Sequence, residues 1–354
     1  MQRASHAALG SEPAMTEAAM GALEAGGTSV DACIAGLLAA AGVKPGVLLG
    51  SMTLLVSGTG AGTHLFDGSV VQPGIGAPRP RGFVRDSDVP IGARVAISAS
   101  AAMLTAAHTH DGRLSMSTLV SHGVRAAKDS GAVGRAGLLS RVAQMGALAF
   151  REESFSSAML DVAGRMEGGN ATQEDLAEVQ AVVSEPSAVG RVVYVGAPRW
   201  DSDIPPIEVP PLECVVVVAS DRRGVVAAAH CAFDAGGPTI EPFEVTASRL
   251  AVPVRRGVRR VVPSTLIQLP VPIAILTRND LPWAVVAMEA SKQVDWELVD
   301  QRVGAEGTSD LTFEQLIAVA LCEGDARRRV LAVMCGTKVD AARSCVIGLD
   351  AVVP

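Results

Sequence analysis

Two runs of small and β-branched residues, CVVVVA at residues 214–219 and VVAAAHCAF at 225–233, constrain the fold more than any other feature of the sequence. Neither alternates apolar with polar residues, so each reads as a strand buried on both faces. Asp221-Arg222-Arg223-Gly224 supplies the turn between them. A hairpin of that kind needs apolar cover above and below, which points to a layered architecture rather than a one-sided sheet.

The rest of the 354-residue chain can supply the cover, being 49% hydrophobic and only 19% charged. That is enough for one large core or two modest ones. With three Trp, one Tyr and seven Phe, the core must be filled by aliphatic side chains, and stacking platforms for bases or sugars are not expected. The net charge of -7 argues against a nucleic-acid partner or an anionic membrane surface. Local basic clusters, Arg255, Arg256, Arg259 and Arg260 and then Arg327 to Arg329, are read as solvated turns and helix ends. The opening MQRASHAALGSEPAM has no apolar segment of secretory length, so a cytoplasmic location is expected, and no apolar stretch is long enough for membrane insertion. Cys33, Cys214, Cys231, Cys322, Cys335 and Cys345 form no C-x-x-C pair. Reduced, buried thiols are therefore expected, with no metal and no cofactor.

Along the chain, Pro13 to Ala25 has helical spacing and stops at Gly26-Gly27. Thr28 or Ser29 can cap a second helix to about Ala41, whose small residues allow close packing. Strands are expected at Met52 to Ser57 and Thr63 to Phe66. The glycine-rich segment between them, Gly58 to Gly62, reads as a hairpin turn: it has no G-K-[ST] ending and strand follows it. Pro73 to Gly82 is a crossing loop. From Ile97 to about Met166 the pattern is helical, broken at Asp111-Gly112 and around Gly131 to Gly137. Thr172 with Asp175 three residues on reads as a helix cap. Beyond a Pro-rich link at Ile204 to Pro211, further strands are expected at Leu266 to Leu276, Trp283 to Met288, Val330 to Met334 and Cys345 to Leu349, with a helix at about Thr312 to Leu321.

Several of these segments resemble the gamma-glutamyltranspeptidase family. Gly26-Gly27-Thr28-Ser29-Val30-Asp31-Ala32-Cys33 is similar to that family's Gly-Gly-Asn-Ala-x-Asp-Ala-Ala run, and Gly42-Val43-Lys44-Pro45 to its Gly-Val-x-x-Pro turn. The helix and turn from Ala106 to Leu114, the stretch Gly168 to Ala177 and the pair Pro205-Pro206 follow in the family's order. The resemblance implies an α+β fold, the αββα layered sandwich of the N-terminal-nucleophile hydrolases. It also implies a large-subunit-like region 1–203, a link 204–213 and a small-subunit-like region 214–354 within one intertwined domain, with the family's middle helical region missing after Pro211.

In that family a precursor cleaves itself before a Thr, whose hydroxyl attacks a gamma-glutamyl amide while its new amine acts as base. The matching position here is Cys214, a chemically sound nucleophile. Two readings stand: cleavage between Glu213 and Cys214 followed by thiol attack, or a buried strand cysteine, and the second is preferred. The family's second hydroxyl is Val215 here, its carboxylate-binding Arg is Gly74, and its Ser-Ser pair falls in Arg259 to Pro263 without a hydroxyl. Its oxyanion-hole glycines are Ala290-Ser291, where backbone N–H groups could still donate. Asp234 stands where the family has Asn, and its charge would repel a carboxylate ligand. His230 lies across the hairpin from Cys214 if the turn centres on Arg222, so a dyad is conceivable, but alternation forbids His230 and Cys231 both facing Cys214. His108, His110 and Asp111 are ligand-type residues without a fourth ligand nearby in sequence, and are read as capping or facing water. The expectation is a gamma-glutamyltranspeptidase-like protein with a degenerate site, a structural or assembly subunit that self-associates or binds another protein. The alternatives are an amide hydrolase or acyltransferase using Cys214, and a small-molecule binding module.

Overall fold

The computed structural model describes residues 6–78, 82–198, 209–305, 328–335, 345–347 and 351–353. Two antiparallel sheets lie face to face. The first has six strands in the order Ala7–Gly10, Glu213–Ser220, Val226–Phe233, Ser51–Gly58, Gly62–Gly68, Val182–Ser184. The second runs Cys345–Ile347, Arg328–Cys335, Leu281–Met288, Ile273–Arg278, Val192–Tyr194, Ser187–Val189. Both sheets mix strands from before and after the 204–213 link.

Alternation sorts the side chains between layers. Val216, Val218, Val226, Ala228 and Leu55 of the first sheet meet Ile273, Ile275, Val285, Ala287, Leu331 and Val333 of the second in one apolar core. The opposite face of the first sheet, with Val215, Val217, Ala227, Ala229, Met52 and Leu54, packs under helices. The outer face of the second sheet, with Ala274, Ala284, Val286 and Ala332, meets Trp296 and Val299. This is the four-layer α+β sandwich that the runs at 214–233 demand.

The helical layer on the first sheet comprises α1 (Pro13–Glu24), α2 (Ser29–Val43), α3 (Ser100–Asp111), α4 (Met116–Asp129), α5 (Val133–Met145), α6 (Glu153–Ala163) and α7 (Gln173–Glu178), while α8 (Trp296–Ala305) covers the second. α2 is apolar all round and is accordingly buried on every side. It crosses α4 at Gly42 and Gly123, where the backbone of each helix occupies the space a Cβ on the other would need.

Buried carboxylates tie this layer together. Thr28 and Asp31 form a reciprocal capping box at the start of α2. Asp31, fully buried, also accepts from the backbone N–H groups of Arg113 (3.0 Å) and Leu114 (3.4 Å), holding the α3–α4 turn. Thr172 and Asp175 form a second capping box, and Asp175 further accepts from Gly74 (2.9 Å) and Ile75 (2.9 Å). The motifs that carry the family resemblance thus act as staples between distant segments.

Some expectations are corrected. Leu266 to Leu276 is not one strand, because Pro270 and Pro272 interrupt it. Leu266–Ile267 joins a small sheet with Val70–Val71 and Ile97–Ser98, and Ile273–Arg278 belongs to the second large sheet. α5 begins inside the expected break at Gly131 to Gly137, since the carbonyl of Pro242 lies where a Cβ at Gly134 would sit. Strand Ala7–Gly10 and helix α8 were not foreseen. Arg328 and Arg329 open a strand rather than a turn. Arg327, residues 204–208 of the link and the helix expected at 312–321 lie outside the described residues.

Candidate functional site

Strand Glu213–Ser220 sits second in its sheet, between Ala7–Gly10 and Val226–Phe233. Its first two residues diverge sharply in environment. Glu213 is exposed and accepts a hydrogen bond from the Lys44 ammonium at 3.2 Å, which also pairs with Glu12 at 3.1 Å. Burial works against the charge on Lys44, but the two carboxylates outweigh it and hold its pKa above the ordinary value. Cys214 is 8% exposed and packs among Val70, Ala96, Ala232, Leu250, Ala251, Ile267 and Leu269. It is not in a disulfide, nor are Cys33 and Cys231.

The hairpin register differs by two residues from a turn centred on Arg222. Asp221 accepts from the N–H groups of Arg223 (2.9 Å) and Val225 (3.1 Å), which enlarges the turn. Cys214 therefore lies opposite Ala232, and His230 opposite Val216. Parity is preserved, so Cys214 and His230 share the face turned to the second sheet. Cys231 faces the helices, its Sγ 3.4 Å from the Val47 carbonyl, and burial pushes its pKa well up.

His230 is completely buried. Its Nε2 lies 2.7 Å from the carbonyl oxygen of Ala290, which makes Nε2 the protonated nitrogen, and Nδ1 has no partner. Desolvation lowers its pKa to about 4, the hydrogen bond to Ala290 opposing that only in part, so the ring is neutral at pH 7. The Ala290 N–H donates to Met288 (2.8 Å), and Ser291 Oγ donates to the Pro270 carbonyl at 3.3 Å. Both backbone polar groups of Ala290 are thus engaged within the protein.

Asp234, with no exposed surface, is clamped by Arg249: Nε at 2.6 Å on one oxygen and Nη2 at 3.0 Å on the other. It also accepts from the N–H groups of Gly236 (3.0 Å) and Arg249 (3.2 Å). Its charge, read in the sequence as facing a ligand, is neutralised internally, and the same contact raises the Arg249 pKa. His108 holds its own turn, Nε2 2.7 Å from the Leu114 carbonyl. His110 pairs with Asp111 at 3.0 Å, and its ring lies 4.6 Å from that of His64, a neighbour that sequence spacing could not supply. Among the described residues no group of three His, Cys, Asp or Glu side chains is arranged to hold a metal ion.

The basic segment 255–260 is less solvated than its composition suggests. Arg255 pairs with Asp86. Arg260 turns inward to Gly74, where its Nη2 lies 2.6 Å from the point a Cβ would occupy. Its Nε and Nη2 are sealed from solvent without a partner. Nothing local marks Arg260 in the sequence, since the space it fills is created by the glycine at position 74.

No protein-family model matches the sequence, and no curated protein does. Solved structures do. LmbA2991HD aligns over 98% of this chain and 97% of its own at 12% identity, with a TM-score of 0.71. The cephalosporin acylase from Bacillus halodurans aligns over 99% and 96%, also at 12% identity, with a TM-score of 0.65. A gamma-glutamyltranspeptidase from Pseudomonas nitroreducens aligns over 50% of this chain and 65% of its own at 18% identity, with a TM-score of 0.41. Two stacked antiparallel sheets between helical layers, matched end to end by an acylase, give this chain the αββα fold of the N-terminal-nucleophile hydrolases, as the sequence resemblance implied.

Proposed function

We propose that the chain is a catalytically silent protein on this fold, serving as a structural or assembly element. One observation carries the reading: the Ala290 N–H, at one of the two positions that match the oxyanion donors, is already bonded to the Met288 carbonyl. Acyl transfer requires donors aimed at the developing oxyanion, and the Ala290 N–H already has an acceptor. Burial leaves His230 a weak base, so a base could come only from an amine freed by self-cleavage. The strand Val182–Ser184, which ends the first sheet with Val182 and Val183 41% and 49% exposed, supports an assembly role, because an open strand edge is a template for pairing.

Intact-protein mass spectrometry tests this reading. The natural chain and Cys214→Ala should each give one species of about 36.3 kDa. A break at Glu213 in the natural chain that Cys214→Ala abolishes would refute it. That outcome would favour the second reading, an amide hydrolase or acyltransferase with Cys214 as nucleophile, for which the face shared by Cys214 and His230 speaks.

A further inference from the structure

The helical layer carries a groove of about 550 Å³ between α4 and α5, inside the ~300–1,000 Å³ range of small-molecule sites. It lies on the far side of the first sheet from Cys214, whose side chain is turned to the second sheet. Helical spacing builds its walls. Ser117, Ser121, Val124, Arg125 and Lys128 fall on one stripe of α4, and Ser140, Ala143 and Gln144 on one stripe of α5. Short side chains on α5 leave the space between the two stripes. Gly137, one turn before Ser140, widens it further, since nothing lies within 4 Å of the point its Cβ would occupy.

The polar atoms of the lining specify what it takes. The Ser121 hydroxyl donates to the Thr118 carbonyl and the Ser140 hydroxyl to the Ala136 carbonyl, both at 2.8 Å. Each proton is spent inside its own helix, so both oxygens offer lone pairs to a guest. Asp129 adds a carboxylate and Gln144 an amide. Such a lining suits a molecule rich in hydroxyl donors. Arg125 and Lys128 supply the opposite character: two like charges three residues apart on one helix face repel until an anion lies across them. Arg125 rests its Nη2 on His122 Nδ1 at 2.9 Å with Glu17 4.0 Å away, and Lys128 forms no ion pair among the described residues. A phosphate monoester, with about −1.5 to −2 charge at pH 7, answers two cations where a carboxylate answers one. No aromatic ring lines the groove, so a nucleobase would have nothing to stack on. A chain of net charge -7 is not drawn to an anionic bilayer, which favours a ligand free in solution over a lipid headgroup.

We propose that the groove between α4 and α5 is a binding site for a soluble phosphorylated polyol, its phosphate held by Arg125 and Lys128 and its hydroxyls by Ser121, Ser140 and Asp129. The site makes no use of Cys214, so it stands whether or not the chain is catalytically silent. Isothermal titration and thermal unfolding of the full chain at constant ionic strength test it, with glucose 6-phosphate, glycerol 3-phosphate, glucose and inorganic phosphate as probes. At least one ester should bind saturably, raise the unfolding midpoint, and bind about tenfold or more tighter than glucose or inorganic phosphate. Arg125→Gln and Lys128→Gln, at exposed positions that leave the fold intact, should each weaken the ester about tenfold or more. Ser140→Leu, which gives up one local hydrogen bond and fills the groove, should abolish the midpoint shift. No saturable response to either ester, equal affinity in the natural chain and Lys128→Gln, or inorganic phosphate binding as tightly as the esters would each overturn the proposal.

Discussion

His230 offers the sharpest quantitative test of the buried interior. The ring lies between the sheets with one hydrogen bond and no counter-charge, and its pKa is about 4 against 6.5 for the free side chain. In the folded protein it stays neutral down to about pH 4, whereas in the unfolded chain it takes up a proton below 6.5. Between those values the unfolded state binds more protons, so stability must rise with pH. The contribution is complete above pH 6.5, declines as pH falls and is lost near pH 4. At about 1.36 kcal/mol per pH unit the gap amounts to ~3 kcal/mol. His230→Gln removes the titration while leaving a side-chain amide able to donate to the Ala290 carbonyl. Urea unfolding of both proteins from pH 7.5 to 4.5 gives the measurement. Carboxylate titrations are common to both, so the difference isolates the imidazole. The natural chain should lose most of that ~3 kcal/mol relative to His230→Gln on acidification. Parallel pH profiles, within about 0.5 kcal/mol throughout, would show that the ring is not held neutral and would refute the account.

Two other substitutions probe the helical layer. Asp31→Ala removes an acceptor shared by the N–H groups of Thr28, Arg113 and Leu114, all at a buried site, and should cost ~3–5 kcal/mol in denaturant unfolding. A loss below about 1 kcal/mol would show that the motif is not a staple. Gly123→Ala places a methyl group against the Leu38 carbonyl of α2 and should destabilise by ~1–3 kcal/mol, detectable as a lower thermal midpoint; an unchanged midpoint would mean the two helices separate freely.

Local chemistry was what the sequence could reveal. The caps at Thr28 and Thr172 are spelled out by residues three apart, and the buried hairpin at 214–233 by its unbroken apolar texture. Features that depend on a partner far along the chain were not legible. The hairpin register moved because the Asp221 side chain, not the backbone alone, closes the turn. Strand Ala7–Gly10 is too short to show a period and exists because it pairs with residues 217–220. α8 is polar along much of its length; among the described residues Trp296 and Val299 pack it onto the sheet, and Asp300 accepts from the Arg191 N–H. In the candidate site, the position of Cys214 at the head of its strand was readable. The engagement of Asp234 by Arg249, of Ala290 by His230 and the inward turn of Arg260 were not, since each joins segments apart in the sequence.

The interleaving of early and late strands has a consequence for how the polypeptide could be divided. Glu213–Ser220 is zipped on both sides, to the amino-terminal strand and to its own hairpin partner, and that partner pairs in turn with Ser51–Gly58. Were the backbone severed before position 214, neither fragment could leave without tearing open a sheet. Gel filtration of a nicked sample would report one particle, and only denaturation would part the pieces. By the same logic, expressing either half alone should yield insoluble material, while co-expression of the two should restore a single folded body.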